Sequence, residues 1–138
     1  MRDSRLLRPR TLESEKITIN LGHVDLGQID LLVREGFYSN RSDFIRTAIR
    51  NRLGHHEEAM RDSVARHGLE LGLRRFSRTD LQAVRDGGRP LHVHVLGLAV
   101  IDADVEPELA RAAIASLRVL GSLQASAAVK AALADRTT

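Results

Sequence analysis

KITINL, residues 16–21, is the stretch on which the fold of this chain turns. Polar and apolar side chains alternate strictly through it. An extended backbone therefore puts Ile17, Ile19 and Leu21 on one face and Lys16, Thr18 and Asn20 on the other. A strand this short cannot form a sheet alone, and no partner strand is evident in the neighbouring sequence.

The next segment is helical in pattern. Leu26, Ile29, Leu32 and Val33 recur at three- and four-residue intervals, which predicts a helix over about 25–35, stopped by Gly36. Gly22 and Gly27 near its start argue for a late beginning, since glycine inside a helix costs about 1 kcal/mol. FYSNRSDFIRTAIRNRL, residues 37–53, then opens a second helix. Ser39 or Asn40 caps it, with Asp43 three residues after Asn40 as in a capping box. Phe44 or Ile45, Ala48, Ile49 and Leu53 form its apolar face, and Gly54 weakens or ends it.

One strand and two helices, in about 40 residues, rarely build a sufficient core. The economical remedy is a second copy. Two strands 16–21 then pair antiparallel about a two-fold axis over four helices. Ile17, Ile19, Leu21, Ile29, Leu32, Ile45 and Ile49 would form the dimer core. Lys16, Thr18 and Asn20 of both copies would project from the outer face. A two-stranded ribbon fits the major groove, where lysine reaches guanine acceptors and an asparagine amide pairs with adenine.

This order of elements resembles the ribbon-helix-helix superfamily, the MetJ/Arc/CopG group of bacterial DNA-binding proteins. The resemblance covers residues 15–53 and rests on KITINL, on the glycine turn REGF, and on SNRSDFIRTAIRNRL, taken together at this spacing. It implies a transcriptional regulator whose ribbon reads operator bases. Carried over by position, Lys16, Thr18 and Asn20 are the base readers. The start of the second helix, Ser39, Asn40, Arg41 and Ser42, would hold a phosphate.

Charge agrees with that partner. The chain carries 21 Lys and Arg against 18 Asp and Glu, and the excess lies in its first two thirds. Arg8 and Arg10 belong to a basic arm, residues 1–14, suited to phosphate contact. We expect residues 15–54 to be the DNA-binding and dimerisation domain and 55–68 a polar connector.

Residues 69–138 read as a small α/β domain, so that the fold class overall is α+β. SRTDLQAVRDGG is a short capped helix stopped by Gly87-Gly88, and LHVHVLGLAVI, residues 91–101, the strongest strand, apolar enough for burial on both faces. DADVEPELARAAIASL, residues 102–117, reads as a turn and a helix with Pro107 near its first position, then come a strand over RVLGSLQA and a final helix. No internal repeat is evident. Oligomerisation, up to a tetramer or beyond, is the favoured role of this domain, ahead of binding a toxin or a small effector. An antitoxin and a scaffold protein without DNA binding are the rival readings.

Chemistry is otherwise sparse. His92 and His94, two apart on one strand, tempt a metal reading, and the layout is similar to nickel-responsive regulators. That family has a cysteine ligand shortly afterwards; here position 100 is Val100, and the chain has no cysteine. No metal or cofactor is therefore expected. Acids in DADVEPE, residues 102–108, suit a helix N-terminus better than a calcium loop. No phosphate-binding glycine loop or nucleophile motif is present, so no enzymatic activity is expected. No apolar run is long enough for a membrane span, and a bacterial cytoplasmic, nucleoid-associated protein fits the composition.

Overall fold

The computed structural model of the chain describes residues 14–138. The arm that holds Arg8 and Arg10 lies outside the described residues. Contacts divide the chain into two compact units, with the break between Asp62 and Ser63. Each is described by itself.

In the first unit, residues 14–22 carry no regular secondary structure in the single chain. Ile17 and Ile19 are 71% and 57% exposed. Among the described residues the alternating segment forms no ladder, and a strand without a ladder is not stable. Helix α1 spans His23–Arg34, starting two residues earlier than its periodicity suggests. Gly22 is not inside it but is its N-cap, with extended φ and ψ, where glycine costs little. At the other end the Gly36 N–H donates to the Val33 carbonyl and the Phe37 N–H to the Leu32 carbonyl, with Gly36 at φ 87°. That is a Schellman ending, and only glycine adopts it without strain.

Helix α2 spans Arg41–His55. The Asn40 side chain accepts the Asp43 N–H at 2.8 Å, while the Asp43 carboxylate accepts the Ser39 N–H at 2.9 Å. The box is thus closed one residue earlier than the sequence suggests. Tyr38 meets Phe44 edge-on at 5.0 Å, which pins the turn to the helix it leads into. Gly54 does not end α2; the helix runs through it, and α3 comes next at Glu57–His67. Most of the expected connector, 55–68, is therefore helical. The cause is plain: glycine lowers helix propensity without forbidding helix, and the flanking residues are good helix formers.

The second unit is a three-stranded parallel sheet in the order β1-β2-β3, with β1 at Glu70–Phe76, β2 at Leu91–Ile101 and β3 at Ile114–Gln124. Helix α4, Arg78–Gly87, connects the first pair and α5, Pro107–Ala113, the second. Helix α6, Ala127–Ala132, and a 3-10 turn at Ala134–Arg136 come after β3. Ser77 and Asp80 form a reciprocal capping box on α4, and Gly88 ends it at φ 72°. Residues 114–117 belong to β3 rather than to the preceding helix. Ile114 and Leu117 are β-branched or apolar residues buried in the sheet core, and that burial overrides helix propensity.

The core lies on one face of the sheet. Val93, Val95, Ala99 and Ile101 of β2 pack with Leu81, Leu109, Ala113, Val129 and Leu133 from the helical layer. The opposite face of β2 is only part-covered, so the expectation of burial on both faces does not hold for the single chain.

A repeat is present after all. Gly72, Gly97 and Gly121 are direct neighbours across the three strands, and all have φ between 119° and 138°. They lie 25 and 24 residues apart along the chain, each within a strand that leads into a helix. Leu71, Leu96 and Leu120 precede them in the same register. The repeat escapes a reading of the sequence because only the Leu-Gly pair recurs identically, while the helices differ in length and caps.

Candidate nucleic-acid interface

Among the described residues of the first unit, Ile29 is the one buried apolar residue, at 6% exposure. Helix α2 has no buried residue. Instead, α1, α2 and the segment before them surround an open groove of about 650 Å³, lined by Ile19, Leu21, Ile29, Leu32, Ile45 and Ile49 among others. Six of the seven residues expected in a dimer core thus meet around one apolar cleft. Ile17 does not line it. Asp25 and Gln28 also reach the groove, and nothing in their spacing marks them for it.

Lys16, Thr18 and Asn20 are exposed, as are Ser39, Asn40, Arg41 and Ser42. The start of α2 is less open to an anion than its sequence suggests. The Ser39 N–H is held by the Asp43 carboxylate, and the Asp43 N–H by Asn40. The Arg41 and Ser42 N–H groups, at the first two helical positions, have no carbonyl one turn earlier within the helix to receive them.

Arg41 is engaged as well. Its Nε and one terminal nitrogen each donate to Asp30 of α1 at 2.8 Å, a forked ion pair between the two helices. Those hydrogen bonds hold the Asp30 carboxyl below the usual carboxylate range and raise Arg41 in turn. The two residues are eleven apart, so no local spacing rule reveals the pair. Arg46, Arg50 and Arg52 are exposed along α2.

His92 and His94 lie on β2, and both rings meet one hydroxyl. Ser116 Oγ, on β3, is 2.7 Å from His92 Nδ1 and 3.2 Å from His94 Nε2. A hydroxyl can donate to one ring nitrogen while accepting an N–H from the other, with the roles set by the imidazole tautomers. Among the described residues no three or more His, Cys, Asp or Glu gather into a metal-binding group. In the acidic segment, Asp102 is gripped by Arg75 at 2.7 Å and Glu106 by Arg78 at 2.7 Å. Among the described residues no helix is long and apolar enough to cross a membrane.

Comparison with known proteins agrees with the N-terminal geometry. A family model described as the ribbon-helix-helix transcriptional regulator family matches residues 12–130. The match extends far beyond the resemblance over residues 15–53 and takes in the parallel sheet. No curated protein and no solved structure matches the chain. With the family model covering most of its length, the chain belongs to the ribbon-helix-helix transcriptional regulators.

Proposed function

We propose that this protein is a dimeric, operator-specific DNA-binding regulator, a repressor that acts at its own promoter among others. The observation that carries the reading is the apolar groove around Ile29. A 12-residue and a 15-residue helix with a single buried residue between them do not constitute a stable unit. A second copy laid across Ile19, Leu21, Ile45 and Ile49 supplies the missing core. It also supplies the strand against which residues 16–21 form a ladder. The polar face of that ribbon then presents two sets of Lys16, Thr18 and Asn20 to base edges. Exposed arginines on α2, with the arm carrying Arg8 and Arg10, contact phosphates.

Residues 70–136 form a sheet with its own helix-covered core, which favours a folded module over a segment that orders only on a toxin. The test is fluorescence anisotropy on duplex DNA from upstream of the protein's own gene, against a scrambled duplex, over several salt concentrations. Tight, salt-sensitive and sequence-selective binding is expected. Equal binding to both duplexes would rule out operator reading at that promoter.

The Asp30–Arg41 pair yields a separate expectation. In Asp30→Asn the Arg41 guanidinium is released beside the start of α2 and one carboxylate is removed from the DNA-facing region. Affinity should rise, and the slope of log affinity against log salt should steepen by about 0.9 for each phosphate gained. An unchanged slope would mean that Arg41 makes no phosphate contact.

A further inference from the structure

We infer that the outer edge of β1 is a second interface between copies of this chain, in which two β1 strands pair antiparallel about a two-fold axis centred on Gly72. This goes beyond the N-terminal pairing proposed above and does not rest on it.

Parallel strands are ordinarily flanked and covered, yet β1 is an edge strand and six of its seven residues are exposed. Leu71 and Leu73 are 78% and 55% exposed, and both lie on the face away from the helices. An open edge carrying such residues is a template for another strand. The opposite edge of the sheet is treated differently. Thr137 bridges to Leu117, the Thr138 N–H donates to the Leu117 carbonyl at 3.0 Å, and Arg136 donates to the Ile114 carbonyl at 2.8 Å. The chain itself covers the start of that edge, at Ile114 and Leu117, whereas no described strand pairs with the outer edge of β1. A β1–β1 pair about a two-fold axis closes on itself, each copy satisfying the other's edge without calling on β3.

The glycine line points the same way. A Cβ added at Gly97 or Gly121 would strike the carbonyl of the glycine on the preceding strand. At Gly72, with φ 119°, it would meet nothing within 4 Å. The position has the backbone of a close-approach glycine and an empty neighbouring seat.

Charge sets the register. With Gly72 opposite Gly72 of the second copy, Glu70 faces Arg74, Arg74 faces Glu70, and Leu71 faces Leu73. Within one chain Glu70 and Arg74 already pair at 2.9 Å, so the two-fold assembles four charges of alternating sign. Centring on Leu73 puts Arg74 opposite Gly72 and leaves Arg75 opposite Leu71. Centring on Arg74 opposes two arginines, which is unfavourable. In the Gly72 register Leu71 and Leu73 of both copies gather on one face beside Leu96 and Leu98.

Because the chain has no cysteine, engineered thiols read this register directly. Full-length chains carrying Leu71→Cys and Leu73→Cys, distinguishable in length, are co-expressed and mildly oxidised. The expected result is loss of both monomer bands to a reducible heterodimer. Leu71→Cys alone, whose thiols lie two residues out of register, and Ala83→Cys on exposed α4 should remain largely monomeric. Both leucines are exposed, and circular dichroism confirms that the variants fold. Arg74→Glu in the Leu71→Cys and Leu73→Cys pair should abolish the heterodimer, and adding Glu70→Arg should restore it. Cross-linking that is absent, or no greater than that of the Ala83→Cys control, overturns the inference. DNA binding by the same preparations reports separately on the N-terminal domain.

Discussion

Gly97→Ala is expected to unfold the α/β unit while leaving α1 and α2 formed. The added Cβ would lie 2.2 Å from the Gly72 carbonyl oxygen and 3.0 Å from its carbon, with φ at 138°. Both colliding atoms are backbone in the adjacent strand, so no side chain can move aside. Relief requires β1 and β2 to separate, which breaks their ladder from Glu70–Val95 to Phe76–Ile101. A cost beyond about 4 kcal/mol is expected from the clash and the strained φ together. That is a large share of what a domain of this size has to lose. Gly121→Ala should behave alike, with its Cβ 2.1 Å from the Gly97 oxygen. Gly54→Ala is the internal contrast. It lies inside α2 with nothing within 4 Å, and should stabilise the chain by up to about 1 kcal/mol. Hydrogen exchange would decide: protection lost across residues 70–124 in Gly97→Ala, with that of residues 23–55 retained. A Gly97→Ala protein melting like wild type would refute the close approach across the glycine line.

Replacing Lys16, Thr18 and Asn20 together with alanine is the second large effect. None of the three contributes to the groove around Ile29, so the variant should fold and dimerise as before. Specific binding exceeds nonspecific binding by at least about 10³-fold in typical regulators. Each well-placed bidentate base contact is worth about 1–3 kcal/mol of discrimination. With six side chains removed from the proposed dimer, affinity for the upstream DNA should fall to that for a scrambled duplex. Much of the salt dependence should persist if the phosphate contacts proposed for α2 and the arm are made. Retained discrimination would place base reading elsewhere in the chain.

How much of this was legible without coordinates depended on the range of the interaction concerned. The glycine stop at Gly36, the Asn40 cap and the strand at 91–101 are set by residues within a few positions of one another. Local rules suffice there. Residues 16–21 are the instructive middle case. Their alternation marks a strand, yet the single chain leaves them without a ladder. Periodicity states which face each side chain takes, but a strand exists only when its backbone groups find partners. The groove shows the same split. Six of the expected core residues converge, while Ile17 stays outside and Asp25 and Gln28 enter.

From sequence alone came the family, the two N-terminal helices, an apolar set for which a second copy is proposed, the class of the C-terminal unit and the lack of cysteine for a thiolate metal site. All of these rest on spacing, composition or resemblance along the chain. The tertiary structure decided what depends on residues far apart. It joined Arg41 to Asp30 and seated both histidines on Ser116. It brought Gly72, Gly97 and Gly121, 25 and 24 residues apart, into one line across the sheet. It also left the outer edge of β1 without a described partner strand, while Thr137 bridges to Leu117 near the start of β3. Register across a sheet is set by where whole strands lie, and no window along a sequence contains two of them at once.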